Sequence, residues 1–75
     1  MMINRKEDAM GNIKIQNIRV QLGYTQEEVA NMIGVTKGAY SLKENGHRGF
    51  NQNELLTIYK NFKLRKKNLN MQDFF

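Results

Sequence analysis

A chain of 75 residues with no cysteine and one histidine has room for one modest core, since folding at this length hides only about 60% of the surface that the unfolded chain exposes. Disulfide scaffolds and Cys/His zinc centres are excluded as the means of holding it together. Twelve Lys+Arg against seven Asp+Glu leave a formal charge of +5, with the whole excess in residues 36–75, a bias that suits a polyanion-binding face and equally a merely soluble basic surface.

Residues 1–11 lack periodicity and are expected to form a loose arm, with Ile3 and Met10 able to touch the domain. The opening MMINRKEDAMGN holds no apolar run of signal-peptide length, and no stretch approaches a membrane span. With the absence of cysteine, this leads to the expectation of a cytoplasmic protein. One domain is expected over residues 12–75. Its first helix is predicted over 12–22, where Ile15, Ile18 and Leu22 share one face and Gly23 supplies the positive φ of a helix end.

Thr25 with Glu28 forms a capping-box pattern opening a second helix over 26–33, whose inner side is Val29, Ala30 and Ile33 and whose end is Gly34. Val35 dips inward, and Thr36 is the N-cap candidate of a third helix over 37–45 that stops at Asn45-Gly46. After the loop HRGF, Asn51 and Glu54 repeat the capping pattern before Leu55, Leu56, Ile58, Tyr59 and Phe62. Asn70 and Asp73 suggest a last, short helix ending in Phe74-Phe75. The reading is five helices and no convincing strand, an all-α chain.

Two short helices joined by a tight turn, the second capped and carrying Lys37 in its first turn, suit insertion of one helix into the DNA major groove. Gly34 is then intelligible as the residue that lets the chain reverse tightly. Gln26 opening the second helix, small Ala30 at its centre, Gly34 in the turn, apolar Val29, Ile33, Val35 and Tyr40, and the closing Glu44-Asn45-Gly46 stand at one family's spacing. Over residues 12–62 the chain resembles the phage-repressor and Cro-like helix-turn-helix family, also called the xenobiotic-response-element family.

That resemblance implies a compact four- to five-helix, lambda-repressor-like domain with its helix-turn-helix at 26–45. It also implies a phosphate contact for Gln26, at a helix start whose free N–H groups favour anions. Thr36 and Lys37 stand where the family contacts phosphate and bases respectively, although a lone lysine suits a phosphate as well. Asn45 is similar to a family asparagine that reaches backbone phosphate, with a plain helix cap as its alternative. Arg48 lies in a loop that commonly faces phosphate, whereas His47 reads as a solvated loop residue without partners for a metal site.

Departures from the family pattern bear on base reading. Gly38 occupies a position that often carries a base-reading side chain, so either close approach to DNA or weak specificity follows. Ser41 and Leu42 stand on the next turn, where serine can bond bases or phosphate and leucine can meet a thymine methyl. The family usually places an apolar residue at the position of Lys43, packed under the helix, which leaves two rotations open: Leu42 outward, or Leu42 in the core with Lys43 at the DNA. Base contacts are therefore expected from Lys37, Gly38, Ser41 and Leu42, and phosphate contacts from Gln26, Thr36, Lys43, Asn45 and Arg48.

In the C-terminal segment, Arg65-Lys66-Lys67 reads as a solvated turn or a second phosphate contact. Leu64, Leu69, Met71, Phe74 and Phe75 exceed what one short helix needs, which points to a dimerisation segment over 62–75 or a protein partner there. The leading expectation is a sequence-specific DNA-binding transcriptional regulator, a repressor by family precedent, acting as a homodimer on double-stranded DNA. The alternative is an antitoxin-like module that binds a partner polypeptide and DNA secondarily. No nucleophile–base pair, carboxylate dyad or phosphate-cradling glycine loop points to an enzyme, and no cofactor or metal is expected.

Overall fold

The computed structural model describes residues 14–70 and Gln72. Four helices stand in this region: α1 over residues 14–22, α2 over Gln26–Ile33, α3 over Lys37–Glu44 and α4 over Gln52–Arg65. No strand occurs among the described residues. The expected N-terminal arm, positions 12 and 13 of the first helix, Met71 and the Asp73–Phe75 end lie outside them. Of the expected last helix, only Gln72 is described as helical.

Local chemistry accounts for where these helices begin. The Thr25 hydroxyl accepts from the Glu28 N–H at 3.0 Å while the Glu28 carboxylate accepts from the Thr25 N–H at 2.8 Å, so two orphan donors of α2 are satisfied reciprocally. Asn51 and Glu54 repeat this at the start of α4, at 2.8 and 3.0 Å. Thr36 caps α3 through Ala39 N–H at 3.1 Å. Gly34 ends α2 at φ 73°, its N–H donating to Ala30 and Asn31 carbonyls; an added Cβ would meet nothing within 4 Å. Backbone handedness, not space, therefore demands glycine there.

Each capped helix then turns one face inward. Ile15 and Ile18 of α1, Val29 and Ala30 of α2, Tyr40 of α3, and Ile58 and Phe62 of α4 form the buried core, with Leu22, Ile33 and Val35 packed against it. The α2 helix packs against both α3 and α4. Its central Ala30 is small enough to let neighbouring backbones approach.

The basic C-terminal segment is drawn into this architecture. Arg65 Nη1 donates to the Leu22 carbonyl at 2.9 Å, closing the end of α1, and its guanidinium lies 3.9 Å above the Tyr24 ring. Tyr24 in turn stacks on Phe62, with ring centroids 5.2 Å apart. Arg65, exposed at the end of α4, thus has packing and capping contacts within the fold. Leu69 differs from expectation: Tyr59 Oη and Lys63 Nζ both donate to its carbonyl, at 3.2 and 3.0 Å, and its side chain is buried in the core. Leu64, 74% exposed, keeps the free apolar character expected of this segment.

Candidate nucleic-acid interface

The rotation of α3 about its axis decides which side chains face outward. Tyr40 and Glu44, one turn apart, are both buried, which directs the opposite face away from the protein. Thr36, Lys37 and Gly38 are exposed, Ser41 is half-buried, and Leu42 is 40% exposed. Lys37, Gly38, Ser41 and Leu42 consequently form one outward stripe, as two i, i+4 rows.

The anchor of that orientation is a buried carboxylate. Glu44 Oε2 accepts from Arg19 Nε at 2.7 Å and from Tyr40 Oη at 2.7 Å; its Oε1 accepts from Gln26 Nε2 at 2.8 Å and Arg19 Nη2 at 3.2 Å. Arg19 Nη1 donates besides to the Tyr24 carbonyl at 2.8 Å. Burial alone would raise the carboxyl's pKa, yet hydrogen bonds from Arg19, Tyr40 and Gln26 outweigh it and hold Glu44 below its ordinary value. The same burial, reinforced by the Glu44 carboxylate, pushes the Tyr40 phenol up, and the Glu44 bond raises Arg19. One charge thereby ties α1, α2 and α3 together.

Gln26 is oriented by this network. Only its NH₂ can donate to Glu44, which leaves the amide oxygen and one N–H uncommitted at the start of α2. Glu27 and Glu28 in the same turn offset the helix dipole, so a phosphate arriving there would depend on the Gln26 amide. Thr36 uses one oxygen lone pair on the cap and retains its hydroxyl hydrogen. Asn45 is the C-cap of α3, exposed, with Nδ2 3.4 Å from Ser41 Oγ. Arg48 and Lys37 are exposed and their side chains make no hydrogen bond or ion pair among the described residues.

Lys43 requires a correction. Its ammonium donates to Glu54 Oε1 and to the Gly49 carbonyl, both at 3.1 Å, and lies 5.9 Å from the Phe50 ring centroid. Of the two rotations left open, the structure has Leu42 facing out and Lys43 facing under the helix, its stem taking the place of an apolar residue and its charge met by Glu54. The Lys43 ammonium thus points at Glu54 and Gly49 instead of outward with the α3 stripe.

Sequence reading passed over Arg19 and the role of Glu44. The available signal was an acid in the last turn of α3, where the helix dipole favours a cation and an acid needs a partner elsewhere. Among the described residues, no group of three or more His, Cys, Asp or Glu side chains stands where it could hold a metal ion, and no helix is long and apolar enough to cross a membrane.

No curated protein and no solved structure matches the chain. A family model described as Helix-turn-helix matches residues 15–66, which span α1 to α4 and include the whole outward stripe of α3. The chain belongs to the helix-turn-helix family of the Cro and phage-repressor type, a family of DNA-binding transcriptional regulators.

Proposed function

We propose that this protein is a sequence-specific repressor that inserts α3 into the major groove as a homodimer in the cytoplasm. The observation that carries the reading is the outward stripe of α3, held in one rotation by buried Tyr40 and Glu44. Lys37, Ser41 and Leu42 read base edges, while Gln26, Thr36, Asn45 and Arg48 position the helix on phosphates. At 1.5 Å per residue, α3 is about 12 Å long, enough for one groove and too short for two. A second protomer supplies the second helix, about 34 Å away on the same DNA face. The molecular extents of 37 × 28 × 21 Å suit two copies side by side at that spacing.

The test is selection from random duplex DNA at two salt concentrations, followed by sequencing of what is retained. Recovery of a two-fold-symmetric motif is the expected result. Retention without a motif, vanishing as salt rises, would leave only non-specific attraction. A second reading, an antitoxin-like module that binds DNA secondarily, draws on Leu64, exposed between Lys60, Lys63 and Lys67. Under it, the motif would appear only when a partner polypeptide covers that face.

A further inference from the structure

Gly38 has no explanation within the folded chain. It sits inside α3 without a positive φ, and an added Cβ would meet nothing within 4 Å. A glycine at such a place weakens a helix relative to alanine, and neither handedness nor crowding requires it. Its surroundings on the outward face are informative. Helical side chains lean over the turn that precedes their own Cα, so Leu42 leans over the turn that holds Gly38. No Leu42 side-chain atom, however, comes within 4 Å of the Cβ position. The face is therefore open above the bare Gly38 backbone, a notch bordered by the exposed Leu42 one turn on, with Lys37 and Ser41 on the neighbouring row.

Open space over bare backbone beside an apolar side chain suits a methyl group. In the major groove, among the four ordinary bases, thymine alone presents a methyl group, at C5. A side chain at position 38 would fill the space that group needs, and a polar residue at 42 would remove its apolar contact. We propose that Gly38 and Leu42 together form a recess for the 5-methyl group of thymine at one fixed position of each half-site. This rests on the DNA-binding reading above and adds which base the apolar half of the stripe selects. Lys37 and Ser41, beside the notch, address the polar edges of neighbouring bases.

The test uses the full chain and the motif retained from random DNA. Each thymine is replaced singly by deoxyuridine, which deletes only the methyl group. At one position per half-site, affinity should fall about fourfold, the effect of leaving one methyl-sized apolar group unburied. Leu42→Ala should abolish that sensitivity, and Gly38→Ala should reduce it while raising the unfolding midpoint by about 2–4 °C. Crossing each variant with the uracil substitution isolates the pairwise effect from any change in DNA shape. A motif with no methyl-sensitive position overturns the inference alone, as does a methyl effect of unchanged size in Leu42→Ala. Failure to retain any sequence overturns the DNA-binding reading and this inference with it.

Discussion

Glu44 carries a negative charge at the C-terminal end of α3, where the carbonyls of the last turn already make the potential unfavourable. It persists because four donor contacts from three side chains surround it. A carboxyl whose pKa is depressed by folding contributes stability that is complete above its ordinary value of 4.5 and is lost as pH falls through the lower folded value. Urea titrations from neutrality down to about pH 3 should therefore show stability falling on the acid side, and Glu44→Gln should remove part of that fall. The neutral variant also leaves the part-buried Arg19 without its counter-charge, a loss of about 2–3 kcal/mol, against a total of about 4–11 kcal/mol for a chain this long. Should the variant be too unstable to titrate, the carboxyl resonance of Glu44 in the unaltered chain reads the same property. An ordinary or raised pKa there would remove Glu44 as the anchor of α3. Gln26, held by the same carboxylate, is predicted to weaken all DNA sites alike when changed to alanine, whereas Lys37→Ala should relax base preference. Binding to a panel of single-base variants of the motif separates the two.

Along the helices, glycines of identical composition have opposite consequences. Gly34→Ala places an L side chain at φ 73°, which costs about 1–2 kcal/mol although the space beside it is empty. Gly38→Ala, in a right-handed helical turn with equal space, should instead stabilise the fold. Thermal unfolding of the two variants should thus shift in opposite directions, and a shared sign would mean that the α2–α3 turn is not held as described. Much of this element-level structure was legible in the sequence because its causes are local. Thr25 with Glu28, Asn51 with Glu54, and Thr36 before Lys37 act across three residues or fewer, and Gly23 and Gly34 fix where helices end. What escaped the sequence depends on partners far along the chain. Arg19 and Glu44 are 25 positions apart, and Arg65 meets the Leu22 carbonyl across 43. The rotation of α3, which decides between Leu42 and Lys43 as the outward residue, follows from Glu54 meeting Lys43 and from Glu44 meeting Arg19. Neither pairing has a periodic signature. For the same reason Leu69 read as spare apolar surface, although the Tyr59 and Lys63 bonds to its carbonyl place it beneath α4.

For the molecule as a whole, the formal charge of +5 overstates what the α3 face offers to DNA. In residues 36–75, Lys43 is neutralised by Glu54, Lys63 is bonded to the Leu69 carbonyl, and Arg65 is bonded to the Leu22 carbonyl and stacked on Tyr24. Lys60 and Lys67 border the Leu64 face instead. On α3 and the loop that follows it, Lys37 and Arg48 are exposed cations whose side chains make no hydrogen bond or ion pair among the described residues. The neutral phosphate contacts assigned to Gln26, Thr36 and Asn45 release no counterions of their own. Two charged contacts per protomer, and four in a dimer, give a slope of log affinity against log salt of about −4. Arg48→Ala removes one contact from each protomer and should flatten the slope by about 2, leaving the preferred motif unchanged. Affinities for the selected site across a salt series measure both quantities. A slope near −8 would mean that about four further cations reach the DNA, which would bring Lys60, Lys66 and Lys67 or the N-terminal residues onto the duplex and assign the Leu64 face to DNA instead of to a protein. A slope near −2 would mean one protomer per site, and the two-fold arrangement would fail together with the spacing of about 34 Å that it requires.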